Sequence, residues 1–301
     1  MFKQAAPPTP PANLAPVTGP VPAFELPVGY PGHDDPAYLA HRAGIARASL
    51  GHTPGTEPPR IAYTPQDHAC WKHINQALAP LWRTHARPEV QEALAALDLP
   101  TDRVPQLLES SRRLQQLTGF AFAPAAGIVP LQEFYGTLAD SVFQSTQFVR
   151  HHTRPLFSPE PDMVHEVLGH GATLASPRFA DLYRQFGGAA RRAETRESLK
   201  AVSRVFWFTM EYGLLGEGDT PLVYGASLLS SYGEMQQYRK ALIRPLDARR
   251  MATVPYDVTE YQSVLFKADT LNELEDFVDA FCAAVDGDTG ARLGVTADQR
   301  W

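Results

Sequence analysis

The chain has 301 residues, of which 44% are hydrophobic and 20% charged, with a formal net charge of −6. That balance supports a sizeable core and excludes global disorder and fibrous repeats. There is no broad basic field and no apolar run of about 18 residues, so nucleic acid, anionic membrane surfaces and a bilayer span are not expected. The N-terminus MFKQAAPPTPP lacks the apolar centre of a secretory signal. The two cysteines, Cys70 and Cys282, form no disulfide framework and read as small buried hydrophobes, so a cytoplasmic location is the expectation.

Nine prolines fall in the first 31 residues, and 1–28 read as a disordered Pro-rich arm. Asp35-Pro36 is a helix cap followed by proline at the first helical position, and Gly51 closes that helix. Thr64-Pro65-Gln66-Asp67 starts a second helix, carried by Cys70, Ile74, Ala77, Leu78 and Leu81, which Pro80 is expected to kink or shorten. Pro88 and Pro105 open two more, the latter with Leu107, Leu108, Ser111, Leu114 and Leu117 on one side and Gly119 at its end. Ser158 to Asp162 reads as another start. Glu194 to Gly213 reads as one long helix, and Thr270 with Glu273 as a capping box before a last one. Strand signals are short, at Leu222 to Tyr224 and Ser263 to Lys267. No repeat of 20–50 residues and no phosphate-binding glycine loop appears. The expected fold is mostly α, a single helical catalytic domain over 29–285 with a few short β-strands, followed by a short tail over 286–301.

Chemistry concentrates in Ser158-Pro-Glu-Pro-Asp-Met-Val-His165-Glu166-Val-Leu-Gly169-His170. A zinc protease helix needs its two histidines four residues apart. Here they are five apart, which on an ideal α-helix splays them by about 140°. Convergence therefore calls for the helix to end between them, and Gly169 is a residue that can end it in a left-handed conformation. Two imidazoles leave a metal short of ligands. Glu211, set in the apolar run Phe206-Trp-Phe-Thr-Met-Glu211-Tyr, would complete a facial triad of the non-haem Fe(II) type. On spacing alone the alternative stays open that these are ordinary half-buried histidines with a solvent-facing glutamate.

The segments PGHDDPAYLAHR, YTPQDHACW, DRVPQLLESSRRLQQLTGF, PAAGIVPLQEFYGTLADSVFQSTQFVRH, SPEPDMVHEVLGH, FWFTMEYGLL, YGASLLSSYGE and YQSVLF occur in this order. Together they resemble the pterin-dependent aromatic amino acid hydroxylases over roughly 29–285, most like the bacterial type of phenylalanine 4-hydroxylase. The resemblance implies that His165, His170 and Glu211 are iron ligands. It places Gly127, Val129 and Phe134 in a pterin-binding loop, with the aromatic ring stacked on the pterin, and Glu166 facing the pterin. It implies that Arg150 holds the substrate carboxylate, an apt task for a guanidinium fork. Ser158, Pro159 and Trp207 would line the amino acid pocket. Ser230 and Glu234 would orient the iron ligands and the substrate. Val258 stands where phenylalanine hydroxylases carry an apolar residue and tyrosine hydroxylases carry Asp. Departures from the family pattern are HGATL after His170, Ser227 where Gly is usual, and Gln144 and Phe206 near the pterin.

The implied activity is a monooxygenase that converts L-phenylalanine to L-tyrosine with non-haem Fe(II), O2 and tetrahydrobiopterin or a related tetrahydropterin. Tryptophan hydroxylation is the alternative within the family. A zinc hydrolase using the same triad and a non-catalytic binding protein are the alternatives outside it. Residues 286–301 carry no apolar heptads, so a monomer is expected.

Overall fold

A computed structural model describes residues 26, 28–158, 160–257 and 260–296. The Pro-rich arm, apart from Leu26 and Val28, lies outside the described residues, as do Pro159 and Val258. In chain order the first half comprises α1 (Pro36–Leu50), α2 (Pro65–His85), α3 (Pro88–Leu97), α4 (Leu107–Thr118), β1 (Ala121–Pro124), α5 (Leu131–Leu138) and β2 (Val142–Ser145). A π-helical turn (His165–His170) then runs into α6 (Gly171–Leu174), followed by α7 (Pro177–Arg192) and α8 (Arg196–Phe206). A second π-helical turn (Trp207–Glu211) leads to β3 (Leu214–Leu215), β4 (Leu222–Val223), α9 (Ala226–Ser230) and α10 (Tyr232–Gln237). A 3-10 turn (Tyr238–Lys240), β5 (Leu242–Pro245), α11 (Ala248–Thr253), β6 (Val264–Ala268), α12 (Leu271–Ala283) and α13 (Thr289–Leu293) complete it.

The helix starts follow from side-chain chemistry. The Asp35 carboxylate accepts from the N–H groups of Ala37 and Tyr38 at 3.0 and 3.1 Å. Thr64 and Asp67 cap each other: Thr64 Oγ1 accepts from Asp67 N–H at 3.1 Å, and Thr64 N–H donates to Asp67 Oδ2 at 2.7 Å. Gly119 ends α4 with φ 80°, a left-handed cap that costs glycine no Cβ clash.

Four expectations need correction. Pro80 does not shorten α2, which continues to His85, because Trp71, Ile74 and Leu78 seal its inner face at 0–1% exposure. The long helix expected from Glu194 splits into α8 and the π turn. Helix starts at Pro105 and Ser158 slide inward. Gln106 caps α4, and the turn carrying His165 begins at Met163, where Asp162 Oδ1 accepts from His165 N–H at 3.2 Å. The domain also extends past both expected boundaries. Leu26 is buried, and α13 packs on α8, where Gly290 N–H donates to Ser198 Oγ at 3.0 Å. A Cβ on Gly290 would stand 2.5 Å from the Glu197 carbonyl carbon, so a small residue is what admits this contact.

Two small sheets complete the frame. β1 and β2 pair in parallel, and β4-β3-β6-β5 form the other, with β3 antiparallel to β4 and β6 parallel to β3 and β5. The core beside the π turns is aromatic: Phe120, Phe143, Tyr183, Phe186 and Phe206 are at most 1% exposed. Cys70 and Cys282 are both 3% exposed, and burial pushes each thiol up to about 12, so neither is a reactive thiolate.

Candidate active site

The histidines converge by a route the spacing did not suggest. Gly169 does not end the helix. The chain widens into a π turn, in which Gly171 N–H donates to Glu166 O, five residues back. Residues five apart then lie nearly over one another, so His165 and His170 share a face. Gly169 is needed for another reason. A Cβ there would stand 2.6 Å from Ala226 O, so its absence lets α9 close on the turn. The second π turn repeats the device, with Tyr212 N–H donating to Trp207 O at 2.9 Å. Gly225, whose Cβ would meet Glu211 O at 2.4 Å, seats α9 against it.

The two turns bring three donors together. Among the described residues, the one group of three or more His, Cys, Asp or Glu side chains that could hold a metal is His165, His170 and Glu211, with ligand atoms within 4.8 Å of one another. His165 Nε2 lies 3.1 Å from His170 Nε2, and Glu211 Oε1 lies 3.1 Å from His170 Nε2. Outer hydrogen bonds assign the tautomers. Ser230 Oγ donates to Ala226 O at 2.9 Å, so it accepts from His165 Nδ1–H at 3.1 Å. Thr173 Oγ1 donates to His170 O at 2.9 Å, Tyr183 OH then donates to Thr173 Oγ1 at 2.8 Å, and His170 Nδ1–H donates to Tyr183 OH at 2.8 Å. Both Nε2 atoms therefore face each other and the carboxylate. That donor set fits a divalent cation of the iron type. Burial and the neighbouring His170 hold His165 down to about 4, so it is neutral near pH 7. Burial works against Glu211 ionising, but the adjacent His170 and His165 outweigh it and hold the carboxylate at about 2.

The other residues singled out from the sequence fall around this centre. Glu166 is buried, not solvated. Its Oε1 accepts from Thr146 N–H and Oγ1–H at 3.4 and 3.3 Å, and burial raises its pKa well above the carboxylate range. Phe134 meets Phe143 edge-on with centroids 5.3 Å apart, and Phe143 lies 4.5 Å from the His170 ring. Gly127 and Val129 sit half-buried on the loop between β1 and α5. Gln144 Nε2 donates to Glu133 Oε1 at 3.0 Å, and its Oε1 is buried without a partner. Phe206 stacks toward His170 at 6.4 Å.

Arg150 is 6% exposed and bidentate to Asp162, donating from Nε at 2.9 Å and Nη2 at 2.7 Å. It shares a small cavity with Ser158, Tyr38, Arg42 and Glu160. Trp207 stacks on Tyr256 at 4.8 Å and donates to Gln262 Oε1 at 3.4 Å. Ser230 touches His165. Glu234 touches no ligand in the triad; its Oε1 accepts from Gln262 N–H at 3.1 Å, and burial raises it to about 7. Pro159 and Val258 lie outside the described residues. Sequence reasoning missed Tyr183, Thr173, Asp162, Thr146 and Gln262. Asp162 alone carried a signal, as a cap residue three positions before His165.

The family model for biopterin-dependent aromatic amino acid hydroxylases matches residues 22–293. Phenylalanine 3-hydroxylase of Streptomyces coeruleorubidus is 44% identical over 259 residues, covering 86% of this chain and 93% of that protein. Phenylalanine-4-hydroxylase of Mus musculus is 36% identical over 267 residues, and the chain spans 59% of its length. The structure of Chromobacterium violaceum phenylalanine hydroxylase with bound oxidized Fe(III) superposes with a TM-score of 0.75 at 26% identity, covering 85% of this chain and 94% of that one. The chain therefore belongs to the biopterin-dependent aromatic amino acid hydroxylase family.

Proposed function

We propose that the protein hydroxylates the ring of L-phenylalanine with O2, using Fe(II) held by His165, His170 and Glu211 and a tetrahydropterin. The observation that carries this reading is the convergence of His165 Nε2, His170 Nε2 and the Glu211 carboxylate within 4.8 Å of one another. When bound, iron and the reduced pterin together supply the electrons that split O2, one oxygen atom going to the ring and one to the pterin.

This chain's side chains bind, orient and exclude water. Ser230 and Tyr183 fix the two imidazoles with Nε2 presented toward Glu211. Glu166 and the unpartnered Gln144 Oε1 offer acceptors to the N–H groups of a heterocycle lying over the Gly127–Val129 loop, with Phe134 as its apolar floor. Asp162 keeps the Arg150 guanidinium charged and oriented, and Arg150 with Ser158 receives the substrate carboxylate and ammonium end. Trp207 forms the apolar wall against which the ring lies, and Glu234 steadies it through Gln262. The aromatic packing of Phe143 and Phe206 behind His170 keeps water from that side.

Hydroxylation at the para position, giving tyrosine, is the first reading. The meta position is the second, favoured by the higher identity and fuller coverage of the Streptomyces 3-hydroxylase. The experiment is to load the protein with Fe(II), supply tetrahydrobiopterin and air, and compare kcat/KM for Phe, Trp and Tyr. Chromatography against tyrosine and its meta isomer identifies the product. Phe should be preferred; a preference for Trp would overturn the substrate assignment.

A further inference from the structure

Ser227, which stands where the resembled family usually carries glycine, donates from Oγ to Glu211 Oε2 at 2.7 Å. It lies three residues before Ser230 on α9, so the two hydroxyls share one helix face. One short helix thereby reaches two of the three proposed ligands, His165 through Ser230 and Glu211 through Ser227. The two Glu211 oxygens differ as a result. Oε1 accepts no hydroxyl and faces His170 Nε2 at 3.1 Å, whereas Oε2 stands farther from His165 Nε2, at 3.7 Å, and carries the Ser227 hydrogen bond. An oxygen that accepts a short O–H bond has given up basicity and one lone-pair direction.

We propose that Ser227 is a positioning residue that makes Glu211 ligate a metal through Oε1 alone. With glycine at this place nothing would hold Oε2 back, and the carboxylate could turn both oxygens onto the ion, raising the protein donors from three to four. Ser227 thus sets how many positions stay open for oxygen and substrate. The inference rests on the metal reading above, so its test first asks whether the wild-type chain binds the probe at all.

The test uses Co(II) with no pterin or substrate, following the visible absorption band and Kd of the wild type, Ser227→Ala and Ser227→Thr. Band intensity falls as coordination number rises. Ser227→Ala should lose intensity as the second Glu211 oxygen joins the ion, without weakening Co(II) binding. Ser227→Thr, which keeps the hydroxyl, should retain the wild-type spectrum. Should the alanine variant fail to fold, Ser227→Gly is the second variant, with the same loss expected. An unchanged spectrum in folded Ser227→Ala or Ser227→Gly would overturn the proposal while leaving the metal site intact. A wild-type chain that binds no Co(II) would overturn the metal reading and this proposal together.

Discussion

Replacing Tyr183 with Phe removes one hydroxyl from a closed hydrogen-bond chain and leaves the ring in place. His170 is 1% exposed and Tyr183 fully buried, so water cannot stand in for the missing partner. Without the hydroxyl, His170 Nδ1–H loses the acceptor that the fold gives it. A buried donor left unpaired costs about 1–3 kcal/mol. At about 2–4 °C per kcal/mol for domains approaching this size, the metal-free variant should melt roughly 2–12 °C below the wild type. Fe(II) affinity should fall by about 10–100-fold, or about 1.4–2.8 kcal/mol, since the imidazole loses the bond that fixes its tautomer. Anaerobic Fe(II) titration and calorimetry of the metal-free protein measure the two effects separately. Thr173→Val, which leaves Tyr183 able to accept from His170, should cost less in Fe(II) affinity than Tyr183→Phe. Wild-type Fe(II) affinity in Tyr183→Phe would refute the tautomer argument.

Further outcomes follow from the same geometry. Gly169→Ala should push α9 off the π turn, costing about 1–3 kcal/mol of overpacking and weakening Fe(II) binding through the Ser230–His165 bond, as read by urea unfolding and metal titration. Trp207→Phe should shift kcat/KM toward Trp over Phe by about 10-fold, on the order of 1.4 kcal/mol; an unchanged ratio would remove Trp207 from substrate selection.

The parts of this fold legible in the sequence were those set by local chemistry. Asp35, Thr64 and Gly119 act at helix ends through their own side chains or backbone freedom, and each works where the sequence places it. The three ligand candidates were also legible, since a glutamate among aromatics and two close histidines stand out by type. The way the histidines meet was not. A π turn is a rare insertion of one residue per turn, and hydrophobic period alone cannot tell it from an α-helix that stops. Tyr183 was hidden for a related reason. It shares its helix with Phe179, Leu182 and Phe186, and its ring reads as one more core residue until the fold shows its hydroxyl at His170. Gln262 and α13 depend on contacts between distant segments, with Glu234 and with Ser198, which no local pattern encodes. Strands of two to four residues, such as β1, β2, β3 and β5, leave too little alternation to read.

The central claim is that His165, His170 and Glu211 hold an iron that couples a tetrahydropterin and O2 to ring hydroxylation. Metal exchange under anaerobic conditions tests it most directly. The metal-free protein is loaded with Fe(II) or Zn(II), then given tetrahydrobiopterin, L-phenylalanine and air, and its products are counted. The account predicts hydroxylated phenylalanine in step with pterin oxidation for the Fe(II) protein, and none for the Zn(II) protein or for Fe(II)-treated His170→Ala. Equal product from the Zn(II) protein, or from His170→Ala, would contradict it.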